Sequence, residues 1–78
     1  MSLSEAMRDE GILEQCLDEL GESIAALDHY PLAVLAIGLR VHLEALLQAL
    51  LDTELCTRAE IRAFIRGLEQ ETLQYEDE

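Results

Sequence analysis

The sequence predicts an all-α protein, and three observations carry that expectation. Leucine, alanine and glutamate dominate while β-branched residues are few, which is the vocabulary of helices rather than strands. Aromatic residues are reduced to Phe64, Tyr30 and Tyr75, with no tryptophan. Apolar side chains recur at steps of three and four, the period of one helix face. Three segments carry that period, so the expected architecture is a three-helix, antiparallel, hairpin-like domain over residues 1–78 that assembles with a second copy into a dimeric helical bundle.

The first helix is expected from residue 4 or 12 to residue 28. Leu13, Leu17, Leu20, Ile24 and Leu27 are spaced four, three, four and three apart and form one apolar seam, with Cys16 beside it. Gly11 weakens the helical tendency of the residues before it. "DHYP", residues 28–31, then breaks the pattern, because a residue before proline avoids the helical region. So short a connection folds the first two helices back antiparallel.

The second helix is expected over 31–52, with Pro31 in its first turn. Leu32, Leu39, Leu43, Leu46 and Leu50 make its strongest seam, and Val34, Ile37 and Val41 widen it. Its polar strip is only Arg40, Glu44 and Gln48. A helix apolar over most of its circumference must be covered from several sides. Arg40 and Glu44 interrupt the apolar run before the roughly 20 residues that a bilayer requires, so a buried helix of a soluble protein is expected, with no membrane partner.

The third helix is expected over 57–74, followed by an acidic tail at 75–78. In "TRAE" the Thr57 hydroxyl can accept from the amide near Glu60 while the Glu60 carboxylate reaches back, a capping box. Cys56 and Ile61 stand at the two positions of a hydrophobic staple. Ile61, Phe64, Ile65 and Leu68 then supply the apolar face.

At 78 residues and 8.8 kDa the chain has room for one domain with a marginal core. Two expected helices do not cover the second one, and self-association is the economical remedy. The expected self-contact is the face of Leu35, Gly38, Leu39, His42, Leu43, Leu46 and Ala49, whose small residues let another helix approach closely. His42 lacks a second ligand at three or four residues' distance on that face, so it reads as an interface histidine rather than a metal ligand or base.

Charge narrows the partners. The net charge of −12 comes from 17 acidic and 5 basic residues, so direct binding to nucleic acid or an anionic membrane is disfavoured and a basic protein surface is attracted. Glu10, Glu14, Asp18 and Glu22 form an acidic stripe on the first helix, and Arg58, Arg62 and Arg66 a basic one on the third. The stripes are expected to face each other, within the chain or across a dimer; the other reading leaves the acidic face free for a protein partner.

Cys16 and Cys56 are read as small apolar fillers in a reducing cytoplasm, since residues 1–15 carry acids where a secretory leader needs a basic region and an apolar run. With few serines, no glycine-rich loop, dispersed histidines and no metal-ligand spacing, neither catalysis nor a metal or other cofactor is expected.

"LGESIAALD", residues 20–28, resembles the acyl carrier protein signature, in which an Asp-Ser-Leu tripeptide opens a helix and its serine carries phosphopantetheine. Glu22, Ser23 and Ile24 are the counterparts, and the resemblance implies a carrier modified at Ser23. Glutamate replaces the signature's aspartate, and Ser23 lies inside the seam from Leu13 to Leu27. "HLEALLQALLDTELCTRAEIRA" is similar to helix-turn-helix joints of bacterial helical proteins, including nitrile hydratase subunits and their accessory proteins; the metal ligands of that family are not matched, and no function follows. The expected function is that of a small, non-catalytic interaction or accessory protein, with a nucleic-acid-mimicking inhibitor of a DNA-binding protein as the alternative.

Overall fold

The structure is a computed structural model and describes residues 1–74. Those residues are all-helical, with four helices: α1 (Leu3–Arg8), α2 (Glu10–Ala25), α3 (Leu32–Asp52) and α4 (Arg58–Leu73). The expected tail at 75–78 lies outside the described residues.

The first expected helix is two helices. Ser2 caps α1, its hydroxyl accepting from the Glu5 amide at 3.2 Å while the Ser2 amide donates to Glu5 Oε1 at 3.0 Å. That reciprocal box starts a helix at Leu3, one residue before the earlier of the two expected starts and well ahead of the seam that opens at Leu13. Asp9 ends it with non-helical backbone and at once caps α2, accepting from the Ile12 amide at 3.3 Å. The break therefore sits at Asp9 and not at Gly11, because a carboxylate there satisfies an amide that the start of a new helix leaves unpaired.

α2 ends at Ala25, short of the expected 28, with a turn over 26–29, while the bounds of α3 and α4 match their expectations within a residue. Pro31 precedes α3 as its N-cap, as its fixed backbone angle and missing N–H allow. Thr57 and Glu60 form the expected capping box on α4, with amide-to-side-chain distances of 3.2 and 3.3 Å. What stops α3 is a backbone device. Glu54 adopts φ 58°, the Glu54 amide donates to the Leu51 carbonyl, and the Leu55 amide donates to the Leu50 carbonyl, the paired bonds of a left-handed Schellman cap. Glycine is the usual occupant, since a side chain there costs about 1–2 kcal/mol.

The only buried apolar residues described are Cys56, 7% exposed, and Ile61, 8% exposed. They are the two arms of the staple, and the Leu3 amide donates to Cys56 Sγ at 3.3 Å, tying the start of α1 to the same point. α1 packs on α2 and on α4. Among the described residues this small knot is the whole fully buried interior.

The long helices depart from expectation. No residue of α2 or α3 is buried, and the two do not pack along one another as an antiparallel hairpin. Leu17 is 58% exposed, Leu46 64% and Leu32 84%. The expectation of α3 as a buried core helix is thus corrected for the single chain. Cys16, expected as a filler, is exposed. The radius of gyration is 14.2 Å, against about 11.5 Å for a compact domain of this length. The accessible surface is 6863 Å², against about 4,800 Å² for a compact monomer of this mass.

Candidate interaction surface

Four surfaces carry the chemistry of this chain. The first is the acidic stripe of α2, where Glu10, Glu14, Asp18 and Glu22 are all exposed. Each four-residue step climbs about 6 Å, and like charges at that spacing destabilise an isolated helix by about 0.2–0.5 kcal/mol per pair. The second is the basic stripe of α4, Arg58, Arg62 and Arg66, equally exposed. Its place in the N-terminal part of α4 sets cations against the helix dipole. The stripes do not meet within the chain: the sole ion pair among the described residues is Arg40 to Glu44, 2.9 Å apart on α3 and itself open to solvent. An internal ladder, one form of the expected pairing, is excluded in this structure.

The third surface is α3 and its approach. Leu35, Gly38, Leu39 and His42 of the expected face line a groove of about 380 Å³ with Leu27, Tyr30 and Val34. Tyr30 is braced by His29, ring centroids 4.3 Å apart, so the loop between α2 and α3 closes one end. Leu43 is half-buried, while Leu46 and Ala49 are exposed and lie beyond the groove. A Cβ built at Gly38 meets nothing within 4 Å, so the room left by the small residues is unfilled in one chain. α3 is also long and apolar enough to cross a membrane by length and composition, Arg40 and Glu44 notwithstanding.

The fourth surface, a groove of about 420 Å³ between α1 and α4, was not expected. Leu3, Met7, Phe64 and Leu68 supply its apolar lining, with Glu60 and Glu71 as its carboxylates. Gly67 and Ala63 keep its floor low. The signal that locates α1, and with it this groove, is the Ser2–Glu5 capping box, legible in "MSLSE".

Titration adds one point. Hydrogen bonds from the Ser2 amide and then the Ser2 hydroxyl hold the Glu5 carboxyl below its ordinary range, since both favour the charged form. Among the described residues no three of His, Cys, Asp and Glu stand together to hold a metal ion, and Cys16, Cys56, His29 and His42 are not gathered. Ser23 is exposed in the last turn of α2, not at the opening of a helix. No family model, curated protein or solved structure matches the chain.

Proposed function

We propose that this chain is a small, non-catalytic interaction protein that self-associates through α3 and offers its acidic face to a protein partner with a basic or apolar surface. One observation carries the reading: α3, a helix of 21 residues with two charged side chains between Leu32 and Gln48, has no fully buried residue in the single chain and leaves most of its apolar side chains exposed. Apolar area on that scale is removed from water at about 25 cal/mol per Å², so a protein that keeps it exposed is one whose folding is completed by binding. Homodimerisation through Leu35, Gly38, Leu39, His42, Leu43, Leu46 and Ala49 is the simplest completion, and a reducing cytoplasm suits its two free thiols.

The nucleic-acid-mimicking inhibitor stands as the second reading because the four carboxylates of α2 lie open at a regular pitch. Light scattering at low and high salt tests the first. A dimer that persists in high salt supports an apolar α3 interface, since such contacts are not screened. A chain that stays monomeric at every concentration and salt defeats self-association.

A further inference from the structure

The two halves of α3 differ in shape, and each fits the other. The N-terminal half is concave: Leu35, Gly38, Leu39 and His42 lie in a groove whose wall Leu27 and Tyr30 raise from the preceding turn. A Cβ built at Gly38 meets nothing within 4 Å, so the floor of that groove is open. The C-terminal half lies beyond the groove and projects, with Leu46 64% exposed and Ala45 and Ala49 open beside it. At about 100° per residue, all of these α3 side chains fall within about 60° of His42, on a sector that carries no charge. Arg40 and Glu44 fall on the opposite side, paired with each other at 2.9 Å.

His42 stands at the middle of α3. A two-fold axis beside it therefore lays the helix antiparallel on its own copy, with the groove of each over the projecting half of the other. At about 1.5 Å per residue, Leu46 of the partner subunit comes level with Gly38, Ala45 of the partner subunit with Leu39, and Ala49 of the partner subunit with Leu35. Each leucine of the face is then level with a small residue, which keeps the two helices evenly close. A parallel pair sets Leu35 on Leu35 at one end and Ala49 on Ala49 at the other, and it leaves both grooves at the same end with no projecting half to fill them.

Charge at the ends of α3 points the same way. Its N-terminus has no side-chain cap and no acid in the first turn, while its C-terminus ends on Asp52 with no base in the last turn. Both are the reverse of what the helix dipole favours. Antiparallel pairing about His42 brings Asp52 of the partner subunit level with Leu32, so a carboxylate stands beside the end whose amides lack a cap. Parallel pairing instead sets the two Asp52 carboxylates side by side.

We infer that the occupant of the α3 groove is the C-terminal half of α3 from a second copy, the two helices crossing antiparallel at His42 so that each imidazole meets its own copy on the two-fold axis. The inference rests on the self-association proposed above and gives it an orientation and a register. It also limits assembly to two copies, because the contact is made by the same face on both and each groove is filled by the other's Leu46.

Disulfide trapping on the full chain decides it, in a Cys16→Ser background that leaves the buried Cys56 as the one native thiol. Three variants add His42→Cys, Leu35→Cys or Ala49→Cys; each is oxidised mildly alone, and the last two also after refolding together in equal amounts. A disulfide needs Cα atoms within about 7 Å. The expected result is a covalent dimer from His42→Cys alone, and from Leu35→Cys and Ala49→Cys only when mixed, because in the antiparallel register each of these two stands about 21 Å from its own copy. Light scattering reports the mass before oxidation and circular dichroism the helices. Gly38→Leu adds a second readout should a cysteine variant lose its helices: it fills the groove and is expected to weaken the dimer about tenfold or more with helicity retained. Leu35→Cys and Ala49→Cys chains that each trap themselves overturn the register, as does a dimer that no variant traps or that Gly38→Leu leaves intact, while the wild-type dimer keeps self-association standing. A wild-type chain that is monomeric, or that partitions into phosphatidylcholine vesicles instead of dimerising, overturns both.

Discussion

Leu46→Ala separates an exposed surface from a covered one by the sign of its effect. In the single chain Leu46 is 64% exposed on the solvent side of α3. If nothing covers it, alanine is the better helix former and the substitution changes stability by no more than a few tenths of a kcal/mol, in the stabilising direction. If a second copy covers it, the exposed part of the side chain is what the dimer removes from water. Full burial of a leucine side chain stabilises by about 1.5–3 kcal/mol, and 64% of that is about 1–2 kcal/mol per protomer. The two-fold axis applies the loss twice, so the dimer weakens by about 2–4 kcal/mol, or about thirty- to seven-hundredfold in Kd. The assay is urea unfolding by circular dichroism at two protein concentrations a hundredfold apart, with light scattering on dilution. Wild type is expected to unfold at a higher midpoint when concentrated, and Leu46→Ala to dissociate at concentrations where wild type does not. A variant with unchanged mass and an unchanged or raised midpoint refutes the reasoning.

Three further outcomes follow from local geometry. Glu54→Gly removes a side chain from a position at φ 58° and is expected to stabilise the folded chain by about 0.5–1 kcal/mol net of the extra freedom of glycine when unfolded, read as a raised urea midpoint. Cys16 is exposed and Cys56 buried, so one thiol per chain is expected to react promptly with an aromatic disulfide under native conditions and the second only on unfolding. The Glu5 carboxyl is held below its ordinary range by Ser2; its contribution to capping α1 is therefore complete above the unfolded carboxylate's pKa and lost as pH falls through the lowered folded value. Protection of the Ser2 and Glu5 amides, relative to their intrinsic exchange, is expected to fall over that acidic window, and Glu5→Gln to abolish the dependence.

Much of the local structure was legible from the residues. The box at Thr57 and Glu60, the staple of Cys56 and Ile61, the start at Pro31 and the helical class itself all rest on interactions within a few residues, and such interactions are written in spacing and side-chain type. The break at Asp9 was also local, and "MSLSEAMRDE" carries both caps that make it. The apolar seam opens only at Leu13, downstream of both caps. The left-handed Glu54 was not legible, because glutamate is a poor occupant of that conformation and only the chain's return to α4 forces it there.

The candidate surfaces divide in the same way. Periodicity placed Glu10, Glu14, Asp18 and Glu22 on one stripe and Leu35, Gly38, Leu39 and His42 on one face, since a helix maps spacing directly onto direction. It could not say which stripes meet, because that depends on how helices are set against one another and not on any one of them. The groove of α1 and α4 is of this second kind: it joins Leu3 and Met7 to Phe64 and Leu68 across most of the chain. So is the separation of the arginine stripe from the acidic one. By itself the sequence determined four things: helical class, caps, charge and an excess of apolar face. Tertiary structure alone decided that this excess stays uncovered within one chain, because the knot of Cys56, Ile61 and Leu3 turns α1 onto α4 and leaves α2 and α3 apart.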